Sequence, residues 1–285
     1  EQIEQLKSDA KSKIRLSYEK PKLKHDPFAL EIALYDPHFG KLCWADETGW
    51  ANWDNSIAAR EYDKAVDNIL SRCPYNPERI MYVIGNDMLH SDNKAGTTTK
   101  GTIVDCDGRF QKVFSTVSKI VMKQIDKFRS ISPNVDVIVI PGNHDALSSW
   151  HLGHLLETYY HEKKNGINID NRPLDRKYWS YGVNLVGLEH GQLGKMRDKP
   201  LMMAVEVPDL WVKSTHREIH LGHLHTEASY EHMGVKTRRI PAICPPDYYH
   251  ASNGYVGNIQ AGQAFIWSKT DGLTGTIEYS IKNEG

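Results

Sequence analysis

The chain has 285 residues, of which 40% are hydrophobic and 25% are charged, and its formal net charge is −1. Such a composition is ordinary for a soluble globular protein with a sizeable core. The near-neutral charge excludes a global basic field for nucleic acid, so that only a local patch could attract a polyanion. Because no apolar run reaches the roughly 18 residues of a membrane span, no membrane partner is expected.

The cysteines indicate the cellular compartment. There are four, at positions 43, 73, 106 and 244, and none forms a C-x-x-C pair. This spacing argues against a zinc ribbon or a disulfide scaffold and suits a reducing compartment. No signal peptide opens the chain, and we therefore expect a cytoplasmic location.

Residues 1–27 form a basic, polar N-terminal segment. Between Lys7 and Lys24 it holds seven Lys or Arg residues against the two acids Asp9 and Glu19. A solvated helix and linker is the simpler interpretation, and a basic arm that touches a polyanion is the alternative. The remaining residues, 28–285, are expected to form one large domain.

The predicted elements alternate between strands and helices before a β-rich second half. In chain order they are a buried strand in "FALEIALYDPHFG" (28–40), a helix over 56–70 capped by Ser56, a strand over 79–87, a long loop over 91–108, a helix whose apolar face runs from Phe110 to Phe128, a strand in "VDVIVIPG" (135–142) and a helix over 148–164. Short alternating segments with glycine turns follow. This order predicts an α/β fold.

Polar side chains follow the predicted strands, where ligands of open α/β sheets bind. They are Asp36, His38, Asp87, Asn143, His144, His190, His223 and His225. Carboxylate, amide and imidazole donors suit divalent ions such as Mn²⁺, Fe²⁺, Zn²⁺, Mg²⁺ or Ni²⁺. The set is too large for one catalytic ion and fits two ions that share one carboxylate. Such a pair cleaves phosphoesters.

These motifs resemble those of the calcineurin-like metallophosphoesterases. They stand as "DPH" at 36–38, "GNDMLH" at 85–90, "GNHD" at 142–145, "EHG" at 189–191 and "GHLH" at 222–225. The resemblance implies a four-layer α/β/β/α sandwich, in which two mixed sheets are flanked by helices, with residues 28–285 as the catalytic domain.

The resemblance also implies the role of each site residue. One ion would take Asp36, His38, Asp87 and His225, and the other would take Asp87, Asn143, His190 and His223. His144 would assist the leaving oxygen, oriented by Asp145. The family usually places its bridging Asp directly after Gly, whereas here Asn86 intervenes. Because a neutral amide cannot balance two cations, Asp87 is assigned as the bridge and Asn86 as an extra turn residue. We expect two Mn²⁺ ions, with the other divalent ions as alternatives.

The stretch "DMLH" resembles "D-L-F-H" of the double-strand-break repair nucleases in this family, and His90 would match their substrate-facing histidine. The chain looks closest to the DNA-repair-exonuclease-like branch of phages and bacteria, which implies a DNA substrate and, for a phage-encoded protein, the host cytoplasm. The repair nucleases of this family often dimerise, and some members carry a DNA-binding segment ahead of the catalytic domain. Either arrangement is compatible with this chain.

Two further segments are candidates for substrate contact. In "KTRR" (236–239), Arg238 and Arg239 could bind phosphate, although a solvated strand is the default. In "PPDYYHASNGY" (245–255), Tyr248 and His250 could stack on a base or simply pack, and Trp44, Trp50 and Trp53 pose the same choice.

The favoured function is a two-metal phosphodiesterase acting on nucleic acid, as a DNA exonuclease or endonuclease. The first alternative is a phosphodiesterase or phosphatase acting on small nucleotides or phosphoproteins, because duplex binding usually recruits many Lys and Arg residues. The second is a non-catalytic interaction module, which would have no need of so many polar ligands in one place.

Overall fold

The computed structural model describes residues 26–161 and 166–281. Almost all of the predicted basic arm, 1–27, therefore lies outside the described residues. Within the two described ranges, no helix combines the length and the apolar composition that crossing a membrane requires.

Eleven strands and seven α-helices make up this part of the chain. The strands are β1 (Phe28–Ala33), β2 (Arg79–Gly85), β3 (Val135–Ile140), β4 (Ile167–Asp170), β5 (Arg176–Tyr181), β6 (Asn184–Glu189), β7 (His216–Leu221), β8 (Ala228–His232), β9 (Val235–Arg239), β10 (Ala261–Ser268) and β11 (Gly272–Ser280). The helices are α1 (Ala45–Thr48), α2 (Asn55–Arg72), α3 (Phe110–Ile131), α4 (Ala146–Tyr160), α5 (Lys199–Glu206), α6 (Pro208–Lys213) and α7 (Tyr248–Ser252).

The strands form two mixed sheets. The first has the order β11-β10-β1-β2-β3-β4, with β1 to β4 parallel and β10 and β11 antiparallel. The second has the order β5-β6-β7-β9-β8, with a parallel centre of β6, β7 and β9. The parallel strands explain the near-continuous apolar runs in the sequence, because both faces of such strands are buried.

Three apolar clusters fix the layers. The first packs α2, α3 and α4 against one face of the first sheet. The second lies between the sheets and includes Met81, Ile138, Val186 and Trp267. The third, centred on Met203 of α5, covers the outer face of the second sheet. The fold is thus the expected α/β/β/α sandwich of two mixed sheets flanked by helices.

The structure corrects one predicted helix cap. Asp54, rather than Ser56, caps α2, because its carboxylate accepts the backbone N–H groups of Ser56 and Ile57 at 2.7 Å. Ser56 lies inside the first turn, where it donates to the cap. Ser and Asp are both good capping residues. Asp54 is the cap here because the N–H groups that it accepts lie two and three residues after it, as in a standard N-cap.

A charged network is buried between the two sheets. Nδ1 of His220 on β7 lies 2.7 Å from Glu31 on β1, and its Nε2 lies 3.3 Å from Glu218. Glu218 also binds Arg238, and Glu31 accepts the indole N–H of Trp267 at 3.0 Å. Although burial lowers it, the pKa of His220 is raised to about 9 by Glu31 and Glu218. The imidazolium therefore bridges the two sheets through charged partners.

We expect His220→Ala to lower the free energy of unfolding by about 3 kcal/mol at about pH 6, because Glu31 would keep a buried charge without its partner. Since the folded pKa of about 9 lies above the unfolded value, the charge-dependent stabilisation is complete below the unfolded pKa and is lost as the pH rises through about 9. Urea unfolding at about pH 6 and about pH 10 tests this, with the exposed His232→Ala as control. An equal loss at both pH values would assign the effect to packing alone.

Candidate metal centre

The predicted ligands converge at the carboxyl ends of the strands, on strained backbone. Six residues there have φ between 44° and 72°: Asp36, His38, Asn86, Asp87, His223 and His225. This left-handed conformation is costly for residues other than glycine and persists where surrounding contacts impose it. Backbone bonds between the two loops do so, since the N–H groups of Asp36 and His38 donate to the carbonyls of Asn86 and Asp87 at 3.2 and 3.1 Å.

The carboxylate of Asp87 lies between two groups of ligands. Its Oδ1 accepts the backbone N–H of His144 at 2.8 Å. Its Oδ2 lies 3.1 Å from Nε2 of His190 and 3.8 Å from Nε2 of His38. Asp87 belongs both to a cluster with Asp36 and His38 and to a cluster with His190 and His223 in which the ligand atoms lie within 4.8 Å of one another. It is therefore the one residue common to these two clusters.

The first cluster is built on the loop after β1. Both oxygens of Asp36 accept the backbone N–H of His223, at 3.2 and 3.1 Å, and its Oδ1 lies 3.6 Å from Nε2 of His225. The Nε2 atoms of His38 and His225 face each other at 3.2 Å. Asp36, His38 and Asp87 thus share one cluster, and His225 adjoins it through its contacts with Asp36 and His38.

The second cluster is built around His190, which follows β6. Its Nδ1 lies 2.5 Å from Oδ1 of Asn86, and its Nε2 lies 2.9 Å from Oδ1 of Asn143. The ring of His223 lies beside it, with the two centroids 5.0 Å apart. Asn86 was interpreted as an extra turn residue. Its side chain additionally fixes the ring of His190 so that Nε2 faces Asp87, a contact that the sequence did not reveal.

The donor set fits divalent ions in its protonation as well as in its position. Burial, together with neighbouring imidazoles, lowers the pKa of His38, and burial also lowers the pKa of His223 and His225, so these rings are neutral at pH 7. Against the effect of burial, His190 lowers the pKa of Asp87, which stays ionised. Neutral imidazole and ionised carboxylate are the forms that bind metal. His190 differs, because Asp87 raises its pKa to about 9 despite burial, so that a cation here would displace a proton.

Two motif glycines leave room for these carboxylates. A Cβ on Gly142 would lie 1.9 Å from Oδ1 of Asp87, and one on Gly222 would lie 2.6 Å from Oδ2 of Asp36. Real Cβ atoms do not approach so closely, so only glycine lets the backbone pass here. The glycines of "GNHD" and "GHLH" are therefore explained by close approach to the two acids.

His144 and His90 line the cavity above the ligands. The Nδ1–H group of His144 donates a hydrogen bond to the carbonyl oxygen of His90 at 2.8 Å, and the two rings stack with centroids 5.2 Å apart. Since Nδ1 is used as a donor, Nε2 is the atom of His144 free to exchange a proton. His90 also approaches the first group of candidate ligands, because its Nδ1 lies 3.2 Å from Nδ1 of His38.

Asp145 is placed differently from the orienting role expected for it. Its carboxylate accepts the backbone N–H groups of Gly142 and Leu89 at 3.1 and 3.0 Å. Burial and the nearby charge of Asp87 raise the pKa of Asp145 to about 7. The residue thus ties the "GNHD" turn to the loop after β2, whereas the ring of His144 is hydrogen-bonded to the carbonyl oxygen of His90.

A cavity of about 510 Å³ opens over the cluster, and one of its walls was predicted only as a loop. Thr98, Lys100, Thr102 and Ile103 from this loop line it. The loop is anchored to α4, because the Asp92 carboxylate accepts the N–H of Ser148 at 2.7 Å and Thr99 Oγ1 accepts that of Ala146 at 3.1 Å. These side-chain contacts span some 50 residues, and no local sequence signal marks them.

The second wall is held by a buried lysine that the sequence analysis did not single out. Nζ of Lys41 donates to the carbonyl of Pro245 at 2.9 Å and lies 3.4 Å from Asp247. Asp247 in turn binds Nδ1 of His250 at 2.6 Å and caps α7. Lys41 is fully buried, and its contacts with Pro245 and Asp247 hold this wall in place.

The predicted substrate contacts divide between the cavity and other places. His250 lines the cavity together with Tyr249, whereas Tyr248 is exposed on α7 outside the lining. Arg238 and Arg239 lie on β9 and are not among the lining residues, and the guanidinium of Arg238 binds Glu218. Trp53 is buried, while Trp44 and Trp50 are exposed.

Known proteins share the arrangement of this chain only distantly. No family model and no curated protein matches it. It is similar to a solved archaeal phosphodiesterase at 13% identity and a TM-score of 0.42, over 88% of this chain and 99% of that one. The zinc complex of Vps29 from Entamoeba histolytica shares 11% identity at a TM-score of 0.35, over 88% and 98% of the two chains. A predicted phosphoesterase from Streptococcus pneumoniae shares 13% identity at a TM-score of 0.26, over 57% of this chain and 91% of that one. At such values none of them bears on the activity of this chain.

Proposed function

We propose that the protein is a two-metal phosphodiesterase that hydrolyses phosphodiester bonds of nucleic acid. The observation that carries the proposal is the position of Asp87, whose Oδ2 faces His190 at 3.1 Å and His38 at 3.8 Å. A carboxylate shared between two sets of carboxylate, imidazole and amide donors is the arrangement that a pair of divalent ions requires. Mn²⁺ is the ion to test first, followed by Mg²⁺, Fe²⁺, Zn²⁺ and Ni²⁺.

Each ion would have four protein ligands. Asp36, His38, Asp87 and His225 would hold one, and the other would be held by Asp87, Asn143, His190 and His223. When bound, two such ions supply a polarised phosphoryl oxygen and a water of lowered pKa. The strained backbone at Asp36, Asp87 and His223 keeps these side chains aimed at common points before substrate arrives.

His144 is the residue proposed to handle the leaving group. Its Nδ1–H is held by the carbonyl of His90, so its Nε2 can carry a proton to the departing ester oxygen. It lines the cavity and belongs to neither of the two clusters that contain Asp87. His90 stacks against it and fixes the plane of its ring.

Nucleic acid is favoured as the substrate by the composition of the cavity walls. Lys100 and the exposed ring of Tyr249 lie beside the ligand cluster and offer an ionic contact and a flat apolar face. A nucleotide presents both complementary groups, a phosphate and a base. A phosphoprotein would present the phosphate without an obligatory aromatic partner.

We expect the Mn²⁺-loaded protein to hydrolyse single-stranded DNA and bis-p-nitrophenyl phosphate and to leave p-nitrophenyl phosphate largely intact. A panel of these substrates, double-stranded DNA, RNA and cyclic nucleotides measures the preference directly. Hydrolysis of small diesters alone, with none of any nucleic acid, would contradict the nucleic-acid assignment. Turnover confined to the monoester would contradict the phosphodiesterase assignment itself.

A further inference from the structure

We infer that Tyr249 is a stacking platform for an unpaired nucleobase of the substrate, so that the site acts on single strands in preference to duplexes. The inference rests on the proposed phosphodiesterase function and adds the form of the substrate and a residue that selects it.

A series of rings leads from the metal cluster to the surface. The ring of His250 stacks on that of the ligand His225, with the centroids 5.2 Å apart and the planes inclined by 12°. The rings of Tyr249 and Tyr255 both meet the ring of His250 edge-on, with centroid distances of 5.7 and 6.4 Å. The rings of Tyr249 and Tyr255 are therefore separated from the proposed ligand His225 by the single ring of His250, a spacing that suits a base attached to a sugar next to the scissile phosphate.

The position of Tyr249 is fixed from below. Lys41 lies 3.4 Å from Asp247, and Asp247 accepts both the backbone N–H and Nδ1 of His250, at 3.0 and 2.6 Å. Tyr248 and Tyr249 lie between Asp247 and His250, so the backbone of Tyr249 is held on both sides. A ring that is already placed loses little freedom on binding and can act as a platform.

The ring is nevertheless exposed. Tyr249 lines the cavity with 63% of its surface accessible, and Ile103 from the other wall lines it with 80% accessible. Two exposed apolar side chains at the mouth of a polar cavity mark a place where an apolar part of the ligand binds. Nucleobases are the apolar, planar parts of nucleic acid, and they stack on aromatic rings in a manner tolerant of sequence.

The charges of the cavity argue against a duplex. Among the lining residues, Lys100 is the exposed cation, since Lys41 is buried against Pro245 and Asp247. Asp105 is exposed in the same wall. Duplex binding depends mainly on many phosphate contacts from Lys and Arg, whereas single-strand binding gains a large share from stacking. In a duplex, moreover, the bases are already stacked on one another and cannot reach Tyr249.

The test compares a thymidine dinucleotide with the same dinucleotide lacking both bases, using the Mn²⁺-loaded protein. We expect kcat/KM for the base-bearing substrate to exceed that for the base-free one by about tenfold or more. Tyr249→Ala should remove most of this preference, while Tyr249→Phe, which keeps the ring, should retain it. Tyr230→Ala, an exposed tyrosine on β8 outside the cavity lining, is the matched control.

A binding measurement separates this inference from the proposed function. In EDTA, which stops turnover, the anisotropy of a labelled thymidine octamer should show tighter binding than its duplex form, and Tyr249→Ala should weaken the single-strand affinity by about tenfold. If the parent protein hydrolyses neither dinucleotide, nor single-stranded DNA, nor bis-p-nitrophenyl phosphate, the phosphodiesterase proposal fails, and this binding result still decides the inference. An unchanged preference and affinity in Tyr249→Ala, or an equal loss in Tyr249→Phe, would overturn the stacking role. Equal losses on both dinucleotides would likewise overturn it.

Discussion

Asp87→Asn is expected to reduce the bound Mn²⁺ from two ions per chain to one or none and to lower kcat/KM for bis-p-nitrophenyl phosphate by at least about 100-fold. The reason is electrostatic. Oδ2 of Asp87 is the atom that faces both His190 and His38, and an amide in its place cannot balance two cations. Metal analysis after dialysis and steady-state kinetics measure the two effects separately.

Asp105→Asn is the matched control for metal content, because it makes the same chemical change in the same cavity but lies in neither cluster with Asp87. It should keep both ions. If Asp87→Asn retained full stoichiometry and activity, the shared ligand would have to be reassigned. Asn86, whose Oδ1 lies 2.5 Å from His190, would then be the first candidate to examine.

His144→Ala is expected to lower kcat on nucleic acid by a factor of about 10² to 10⁴ while both metal ions remain bound, as is usual on removal of a general acid. The structure gives a sharper form of this test. Because p-nitrophenolate leaves without a proton, the loss on bis-p-nitrophenyl phosphate should be much smaller than the loss on a dinucleotide, whose leaving alkoxide needs one.

The exposed His151→Ala on α4 serves as the control for a histidine change near the "GNHD" turn, and it should leave metal content and kcat unaltered. Equal losses on both substrates would show that His144 does not donate the proton. Loss of both metals would show instead that it acts as a ligand, since His144 also lies in a cluster with His38 and His90.

The convergence of the ligands could be predicted from the sequence because it follows from topology. Asp36, Asp87 and Asn143 each come after one of the parallel strands β1, β2 and β3, and the carboxyl ends of parallel strands meet at one edge of a sheet. His190 and His223 follow the parallel pair β6 and β7 in the same way. Strand order and direction therefore gather the donors of each sheet at one edge of that sheet.

The contacts that orient these ligands could not be predicted, because they depend on how the two sheets and their loops pack. Asn86 reaches His190 across 104 positions, and Lys41 reaches Pro245 across 204. Arg238 looked like a phosphate contact as part of a basic run, yet Glu218 on the neighbouring strand β7 pairs with it. A run of charged residues in the sequence does not show whether a residue on the adjacent strand will form an ion pair with one of them.

The most direct test of the account is a crystal soaked in Mn²⁺ and measured for anomalous scattering. We predict two peaks about 3.5–4 Å apart. One should lie among Asp36, His38, Asp87 and His225, and the other among Asp87, Asn143, His190 and His223. An anomalous map with no peak beside the carboxylate of Asp87 would contradict the shared-ligand site from which the proposed function is drawn.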